Sequence, residues 1–418
     1  MPKKKLLLVV GAGASVGFDM PRVTDVRNII NDDIQKRYPL LYEPSTNLYE
    51  CIEEMVRRYW DRSVPSHLRR KPNFEDILYT IFALAAAFPA GADTSALGAL
   101  VTATKLPDVS VCARKNEAVT PDILRDLGNA AVDVLVNAFR DRCRASEVNR
   151  AGEFAQLRAF VAALQDDFEI AVVTLNYDNI VYRAFPGIET GFDPTTGVFE
   201  EQRILNRTEW PCMLHLHGSV HFDMKIGRTG DLHEIHWQPD IRGVFNQNAG
   251  GRSTRSYVEG ADFPTSVIVA GYGKTTQILR RPFRTYYSEL DRLITNCDAA
   301  LFAGYGFADV HLNIAFEGFR DTRRRPVAII SPAPDDAMTM RGVGLGDDNP
   351  MVSTLIHTFQ TDYRSMRALG HSAPDTVNSL RAAQEFEVSI NPDTPLCLWY
   401  NGMLEACASP AKVVARLT

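Results

Sequence analysis

The chain has 418 residues, of which 45% are hydrophobic and 23% charged, and its formal net charge is −6. This composition is ordinary for a globular protein with a full-sized core, and the length allows about two or three modules. A net negative charge gives no general attraction for nucleic acids or acidic membranes, so we expect no direct nucleic-acid binding. No stretch approaches the ~20 apolar residues of a membrane span, and the apolar run Leu6–Val10 is too short for a signal peptide, which predicts a cytoplasmic protein.

Seven cysteines are scattered along the chain, and none forms a Cys-x-x-Cys pair. Their odd number argues against a disulfide framework, and the missing pairs argue against a structural zinc ribbon. We therefore expect no bound metal and, in particular, no zinc.

The first predicted element is a buried strand that ends in a glycine turn. The apolar run Leu6–Val10 stops at Gly11, and glycines there allow the backbone to come close to a ligand. A helix turn beginning at Ala14 or Ser15 would direct free N–H groups at a phosphate. The residues predicted to bind a nucleotide in this turn are Gly11, Ala12, Gly13 and Ser15.

Two other motifs fit the same residues less well. In the dinucleotide fingerprint G-x-G-x-x-G the third glycine falls on Val16, and the expected acid falls inside the helical segment Val26–Lys36. The segment Gly13–Gly17 also spells the nucleophile elbow G-x-S-x-G, but only Met1–Lys4 precede the strand, and they cannot supply an oxyanion donor. An ordinary dehydrogenase and an α/β hydrolase are therefore disfavoured, and a plain tight turn is the alternative.

Residues 25–165 carry helical patterns. Apolar residues recur at helical spacing in Ile52–Trp60 and Phe154–Leu164. Phe74–Phe88 and Pro121–Arg140 are also predicted helices, the second with Thr120 as its N-cap. The predicted loops between these helices are Phe88–Gly98 and Leu106–Thr120.

From residue 168 onward, short strands alternate with helical segments. The predicted strands are Ile170–Leu175, Pro211–His217, Ser266–Ala270, Ala299–Ala303 and Pro326–Ser331. Each strand ends on small or polar residues, and such an alternation indicates a parallel sheet whose ligands bind at the carboxyl ends of the strands. The predicted fold class is α/β, with a Rossmann-like parallel sheet, a large helical insertion after the first strand and a C-terminal extension.

This pattern predicts a discontinuous core. Residues 1–24 and 166–334 form the predicted nucleotide-binding catalytic core, residues 25–165 the helical insertion, and residues 335–418 a C-terminal region available for oligomer or partner contacts. The further predicted elements are a mobile loop at Arg228–Arg255, a linker at Asp336–Asn349, a helix at Thr376–Glu385 and a strand at Leu396–Tyr400.

Polar or glycine-rich sequences follow several of the predicted strands. They are Thr174–Asp178 (T-L-N-Y-D), His215–Ser219 (H-L-H-G-S) and Gly304–Asn313 (G-Y-G-F-A-D-V-H-L-N). With the opening G-A-G-A-S, the first two resemble the G-A-G-x-S, T-Q-N-x-D and H-G-S motifs of the sirtuin fold. The last resembles the G-Y-S-F-x-D-x-x-x-N signature of the sirtuin-like NADases of bacterial anti-phage systems, and Asn73–Asp76 (N-F-E-D) also looks typical of them. The resemblance covers about residues 5–335.

The resemblance implies a sirtuin-type core that cleaves NAD+ to nicotinamide and ADP-ribose and depletes NAD in anti-phage defence. In the catalytic roles it implies, His217 is the general base for a ribose hydroxyl or the incoming water, and Asn176 orients the ribose and water. Asp178 anchors the nicotinamide end or stabilises the developing cation. The implied NAD-binding residues are Gly11, Ala12, Gly13, Ser15, Gly218, Ser219, Gly304, Gly306, Phe307 and Asp309, with Gly304, Gly306 and Asp309 at the adenosine ribose. It further implies a homo-oligomer regulated by a partner, most often a HerA-like hexameric ATPase and less often an Argonaute-like protein.

The departures from the sirtuin motifs disfavour protein deacylation. Leu175 replaces a glutamine, and no cysteine lies between Cys212 and Cys297, where deacylating sirtuins carry their four zinc ligands. The alternatives are therefore a deacylase and a non-catalytic module that binds NAD or ADP-ribose.

Three simpler interpretations of these residues stay open. Asn176 and Asp178 could form an Asx turn. A Walker-like ending at Gly273–Thr276 has Ile268 at its first glycine position, which disfavours an ATPase site. The histidines that could form a metal site instead are His215, His217, His221, His233 and His236.

Overall fold

We describe the protein from a computed structural model, which describes residues 2–63, 72–87, 106, 108–111, 114–116, 118–226, 233–246, 266–269, 278–320, 325–332, 350–369 and 373–418. In chain order the strands are β1 (Lys4–Val10), β2 (Val109–Val111), β3 (Arg114–Asn116), β4 (Phe168–Thr174), β5 (Met213–His215), β6 (Phe222–Ile226), β7 (His233–Trp237), β8 (Ala299–Ala303), β9 (Val327–Ile330), β10 (Glu387–Val388) and β11 (Leu396–Trp399).

The helices surround these strands. In chain order they are α1 (Val23–Arg37), α2 (Leu48–Ser63), α3 (Phe74–Ala87), α4 (Pro121–Asn149), α5 (Ala151–Asp167), α6 (Gln202–Leu205), α7 (Phe283–Asn296), α8 (Val310–Phe316), α9 (Pro350–His357), α10 (Pro374–Ala383), α11 (Met403–Cys407) and α12 (Pro410–Leu417). Within the described ranges, no helix combines the length and the apolar character that crossing a membrane would require.

Seven strands form one sheet in the order β10-β11-β9-β8-β1-β4-β5. All neighbouring pairs are parallel except the edge pair of β10 and β11. Parallel neighbours need crossover connections, and the first crossover, from β1 to β4, contains the whole helical segment up to α5. The predicted α/β class, with a parallel Rossmann-like sheet and a helical insertion after the first strand, is confirmed.

Strand β1 lies in the middle of the sheet because its residues are apolar on both faces. Leu6 to Val10 are all buried, between β8 on one side and β4 on the other. A strand that is covered on both faces has a continuous apolar run instead of an alternating one. Helix α5 packs on β4, and α7 packs on β1 and β5. The carboxyl ends of β8, β1, β4 and β5 therefore lie side by side at one edge.

The helical insertion contains the predicted helices and one hairpin. Helix α4 begins as expected, with the Thr120 hydroxyl accepting the N–H of Ile123 at 3.3 Å, but it continues beyond Arg140 to Asn149. Strands β2 and β3 form an antiparallel pair inside the predicted loop Leu106–Thr120. Three-residue strands are too short to show an alternating pattern in a sequence, which explains the difference.

Two segments after β5 differ from the prediction. Within the predicted strand Ser266–Ala270, the structure describes residues 266–269, and these do not join the sheet: Ile268 forms an isolated bridge with Gly218, so they are buried against the loop after β5. Strand β7 lies inside the predicted mobile loop Arg228–Arg255 and pairs with β6. The predicted loop Phe88–Gly98, the predicted linker Asp336–Asn349 and the Gly271–Thr276 sequence lie outside the described residues.

The C-terminal region contributes to the sheet. Helix α10 and strand β11 agree with the predicted helix and strand, and β11 pairs in parallel with β9. The sheet therefore contains strands from residues 1–24, 166–334 and 335–418. The division into core, insertion and C-terminal region stays a prediction.

The turn after β1 packs tightly on the turn after β8. Gly11 donates its N–H to the carbonyl of Ala303, and Gly13 donates to the carbonyl of Gly304, both at 2.9 Å. Gly304 has a φ of +63°, and a Cβ added there would lie 2.0 Å from the nitrogen of Ala14. Only glycine fits this position, because a side chain would collide with the facing backbone.

We expect Gly304→Ala to destabilise the protein by more than about 3 kcal/mol, since it adds both a steric overlap and a left-handed alanine. Gly306→Ala is the matched control, because a Cβ there meets nothing within 4 Å. Urea unfolding of both variants measures the effect. Equal stabilities for the two variants would contradict the packing described for these turns.

Candidate active site

The predicted site residues after β1 and β4 are in direct contact. The side-chain amide of Asn176 donates from Nδ2 to the carbonyl oxygen of Gly11 and to the hydroxyl of Ser15, each at 3.0 Å. Asn176 and Ser15 are both buried. The structure thus brings the first two predicted motifs together, although they are more than 150 residues apart in the sequence.

Ser15 connects Asn176 to a buried carboxyl group. Its hydroxyl accepts from Asn176 and donates to Asp178. Asp178 also accepts the backbone N–H of Ile180 at 3.0 Å, so it forms the Asx turn that the sequence allowed. Burial raises the pKa of Asp178 to about 6, and the hydrogen bonds oppose this rise only in part. The site therefore holds a carboxyl group that titrates close to neutral pH.

His217 and Asp309 meet across the site. Nε2 of His217 lies 3.1 Å from Oδ2 of Asp309, and both side chains are less than a tenth exposed. At this distance the imidazole is not aligned for a full hydrogen bond. Strands β5 and β8 lie on either side of β1 and β4, roughly 14 Å apart at the usual strand spacing. The contact therefore joins loops from the two sides of the site.

A helix terminus fixes the carboxylate of Asp309. Oδ1 of Asp309 accepts the N–H groups of His311 and Leu312, at 3.1 and 3.3 Å, as the N-cap of α8. The resemblance predicts Asp309 at the adenosine ribose, whereas the structure gives it a position beside His217. Its contact with a ribose stays a prediction.

Backbone hydrogen bonds anchor the loop that carries His217. Leu216 donates to the last carbonyl of β4 at 3.0 Å, and Val220 donates to the carbonyl of Tyr177 at 2.7 Å. The carbonyl of His217 itself accepts from Val269 at 2.9 Å. The loop is therefore fixed to the end of β4 on one side and to residues 266–269 on the other.

Gly218 and Ser219 have structural roles in this loop. Gly218 has a φ of +108°, and a Cβ there would lie 2.4 Å from the carbonyl oxygen of Val267. Ser219 is fully buried, and its hydroxyl accepts the N–H of His221 at 3.3 Å. Their predicted contact with a cofactor stays a prediction.

The glycine turn after β1 differs from the predicted helix terminus. It consists of 3₁₀ turns at Ala12–Ala14 and Val16–Phe18, and α1 starts further along the chain. The N–H groups of Gly11 and Gly13 are already donated to carbonyls at the end of β8, so they are not available to a phosphate. Packing alone explains these two glycines, and the phosphate-binding role of the turn stays a prediction.

The turn after β8 has one open and one buried part. Ala12, opposite this turn, is exposed. Gly306 is also exposed, and a Cβ added to it would meet nothing within 4 Å. Phe307 is 1% exposed, and its ring packs 4.6 Å from that of Tyr305. Its φ is +56°, and Asn313 holds this conformation by donating to its carbonyl at 2.7 Å. A ligand could therefore approach Gly306, whereas the ring of Phe307 belongs to the core.

Two further histidines lie in a buried aromatic cluster. The ring of His221 stacks on Trp237 at 4.4 Å, and His215 lies 5.4 Å from the same indole. Burial lowers the pKa of His215 to about 3 and that of His221 to about 4, so both are neutral near pH 7. In the part of the chain that the structure describes, no group of three or more His, Cys, Asp or Glu is arranged to hold a metal.

Helix α3 of the helical insertion carries an acidic residue, Glu75, near the site. Asn73 and Asp76 cap this helix reciprocally, with Asn73 N–H donating to the carboxylate at 2.8 Å and Asp76 N–H to the amide oxygen at 3.1 Å. Burial raises the pKa of Tyr287, and the charges of Asp309 and Glu75 raise it further. Glu75 therefore lies within electrostatic range of the residues around Asp309.

Sequence analysis missed Arg140, which reaches the His217 loop from α4. The guanidinium donates to the carbonyls of Val220 at 2.9 Å and Phe222 at 3.2 Å. Its neighbours Phe139 and Cys143 belong to the buried stripe of α4. An arginine on an otherwise apolar stripe is the signal that could have identified it.

Comparison with known protein families matches residues 170–348 to the family model of the SIR2-like domain. The match begins in β4, includes Asn176, His217 and Asp309, and spans fewer than half of the 418 residues. Over these residues the chain is sirtuin-like. No match was found among curated proteins.

Solved sirtuin structures resemble the chain weakly. One, described as the basis for the mechanism and regulation of Sir2 enzymes, is 13% identical with a TM-score of 0.33, over 81% of this chain and 84% of that chain. A complex of a Sir2 homologue with NAD is 12% identical with a TM-score of 0.30, over 79% of each chain. Likeness at this level carries no further conclusion about the protein.

Because the pKa of Asp178 is raised, we expect the stability of the folded protein to depend on pH. The folded protein holds a proton on Asp178 up to about pH 6, whereas an ordinary aspartate loses it near pH 3.8. Wild-type stability should therefore fall as the pH rises through this window, by up to about 3 kcal/mol for this group. Asp178→Asn cannot ionise, so its stability relative to wild type should rise between about pH 4 and 6 and then level off. Urea unfolding across this range tests the prediction, and a pH-independent difference would contradict it.

Proposed function

We propose that the protein binds NAD+ at this site and hydrolyses it to nicotinamide and ADP-ribose. The SIR2-like match over residues 170–348 supports NAD as the ligand class. The observation that carries the proposal is the arrangement of the strand ends: the Asn176 amide is bonded to the turn after β1, and His217 lies beside Asp309 on adjoining loops. These groups can orient a ribose and a water molecule and accept a proton.

The leaving group determines what the protein has to supply. The nicotinamide ring nitrogen is positively charged while it is bonded to the ribose, so breaking this bond returns the electron pair to the ring and releases neutral nicotinamide. No general acid is needed. Water adds its oxygen to the ribose carbon and loses one proton, which gives ADP-ribose. The protein therefore has to orient the water, stabilise the positive charge developing on the ribose and accept the proton.

His217 is the proposed general base. Imidazole accepts protons near neutral pH, and the Asp309 carboxylate 3.1 Å away would stabilise the imidazolium that results. Asp309 is therefore proposed as a partner of His217, in preference to a ligand of the adenosine ribose. Asn176 orients the ribose and the water, and Asp178 supports this amide through the hydroxyl of Ser15.

The open side of the site is the proposed entry for the adenosine half of NAD+. Gly306 is exposed and has open space where a side chain would be, which favours close approach of a ligand to this turn. Gly304 and Ala12 lie at the same edge, so a dinucleotide could extend from Gly306 towards Asn176. The preference for NAD over NADP is left to experiment.

Deacylation of proteins is the less supported alternative. The zinc module of deacylating sirtuins does not fit this chain, because no cysteine lies between Cys212 and Cys297. Leu175 also occupies the position where those enzymes have a glutamine. We therefore expect NAD+ to be consumed without an acylated peptide.

We expect the purified protein to release nicotinamide from NAD+, and His217→Ala or Asn176→Ala to lower kcat by about 10²–10⁴-fold, since each removes a group that acts on the reacting atoms. His357→Ala, at an exposed position on α9, is the control and should keep wild-type activity. Chromatography of NAD+, nicotinamide and ADP-ribose, with and without acylated peptide, gives the rates. NAD+ loss only with peptide would indicate a deacylase, and binding without nicotinamide release would indicate a non-catalytic module.

The wider roles implied by the resemblance are part of the proposal. We propose a cytoplasmic homo-oligomer that depletes NAD in anti-phage defence and is controlled by a HerA-like ATPase, because an unregulated NADase would kill its own cell. A tagged chain should co-purify with the product of the neighbouring gene, and the isolated chain should show only a basal rate of nicotinamide release, well below the rate of that complex. Full activity of the isolated chain would contradict regulation by a partner.

A further inference from the structure

Arg140 is a buried charge in the helical insertion. It lies within α4 and is only 4% exposed. Nε donates to the carbonyl of Val220 at 2.9 Å, and Nη2 donates to the carbonyl of Phe222 at 3.2 Å. Nη1 lies 3.4 Å from the side-chain oxygen of Asn137 one turn earlier. Two of the guanidinium's hydrogen bonds therefore go to the backbone of a distant loop.

The shape of the guanidinium suits these two carbonyls. Val220 and Phe222 are separated by one residue, and the planar fork of an arginine can reach both oxygens at once, which a lysine ammonium cannot match. The ring of Phe245 covers the guanidinium at 3.7 Å from its central carbon. The ring covers one face of the guanidinium, which is thus shielded from water.

The carbonyls that Arg140 holds belong to the loop of the proposed general base. They follow His217 by three and five residues. Other anchors of this loop are the backbone bonds to β4 and to residues 266–269 described above, and the N–H of Gln238, which donates to the carbonyl of His221 at 2.8 Å. Arg140 is the anchor that comes from the helical insertion, and it acts at the far end of the loop, where Phe222 begins β6.

We propose that Arg140 is a positioning residue, through which the helical insertion fixes the loop that places His217 beside Asp309. The catalytic part of this proposal rests on the proposed function, whereas the anchoring of the loop does not. Without the guanidinium, two buried carbonyls lose their donors, so the loop should open more often and His217 should lose its orientation.

Arg140 keeps its positive charge at neutral pH despite its burial. Burial lowers the pKa of Arg140 to about 10, and the carboxylate of Asp223 opposes this effect. Asp223 is itself held by Lys225 at 2.6 Å and by the N–H of Asn246 at 2.7 Å, next to the covering ring of Phe245. Arginine therefore stays charged at neutral pH, and its donors stay available to the loop.

Hydrogen–deuterium exchange tests the anchoring without reference to activity. We compare wild type, Arg140→Met, Arg140→Lys and the control Arg144→Met, which changes an exposed arginine one turn along α4 that pairs with Asp141. Arg140→Met should speed exchange in the peptide covering residues 216–222 by about tenfold while peptides of β1 and β8 stay as in wild type. Arg140→Lys should give a smaller increase, and it provides the same readout if the methionine variant does not fold. Wild-type exchange at residues 216–222 in both Arg140 variants would overturn the proposal.

The kinetic test separates this inference from the proposed function. If wild type cleaves NAD+, Arg140→Met should lower kcat by about 10–100-fold and change KM by less than about threefold, because binding is kept while His217 is misplaced. If the Arg140 variants lose protection at residues 216–222 but the wild type does not cleave NAD+, the anchoring is supported and the proposed function is overturned. Normal kcat despite a loosened loop would overturn the positioning role of Arg140.

Discussion

The backbone contact between the turns after β1 and β8 holds the site together. Gly13 donates to the carbonyl of Gly304 at 2.9 Å, and neither turn has room there for a side chain. This contact positions the turn after β1 so that the carbonyl of Gly11 accepts a hydrogen bond from the side-chain amide of Asn176. It also sets the start of the segment that leads to Asp309, and so decides whether that carboxylate can reach His217. Polar groups from four strand ends thus depend on the close approach of two glycines.

The site is a buried polar network, and its chemistry follows from that burial. Asn176, Ser15 and Asp178 form a chain of hydrogen bonds with little exposure to water. In such surroundings hydrogen bonds and charges interact more strongly than in water, and an unpaired group is costly. Burial is also what brings the titration of Asp178 close to neutral pH. A region concerned only with stability would gain more from apolar packing, so this concentration of polar groups supports a functional role.

The sequence was sufficient to predict the parallel sheet, because each strand ends in a glycine or polar motif and β1 is apolar on both faces. It was not sufficient for the 3₁₀ turns after β1, since local residue types do not distinguish them from the start of a helix. The pairing of His217 with Asp309 depends on how far the loops after β5 and β8 extend beyond the sheet. The number of residues between the motifs does not determine this distance. For Arg140 the sequence shows an arginine on a buried stripe but not its partners, because these are backbone carbonyls of another segment.

We propose that these strand ends surround a single dinucleotide. A crystal structure of the His217→Ala variant with NAD+ tests this arrangement, because slow turnover would leave the dinucleotide intact. We expect the nicotinamide ribose within hydrogen-bond distance of Asn176, with its reacting carbon facing position 217 and the adenosine half beside Gly306. A dinucleotide bound elsewhere, or one that leaves Asn176 and position 217 out of contact, would contradict it.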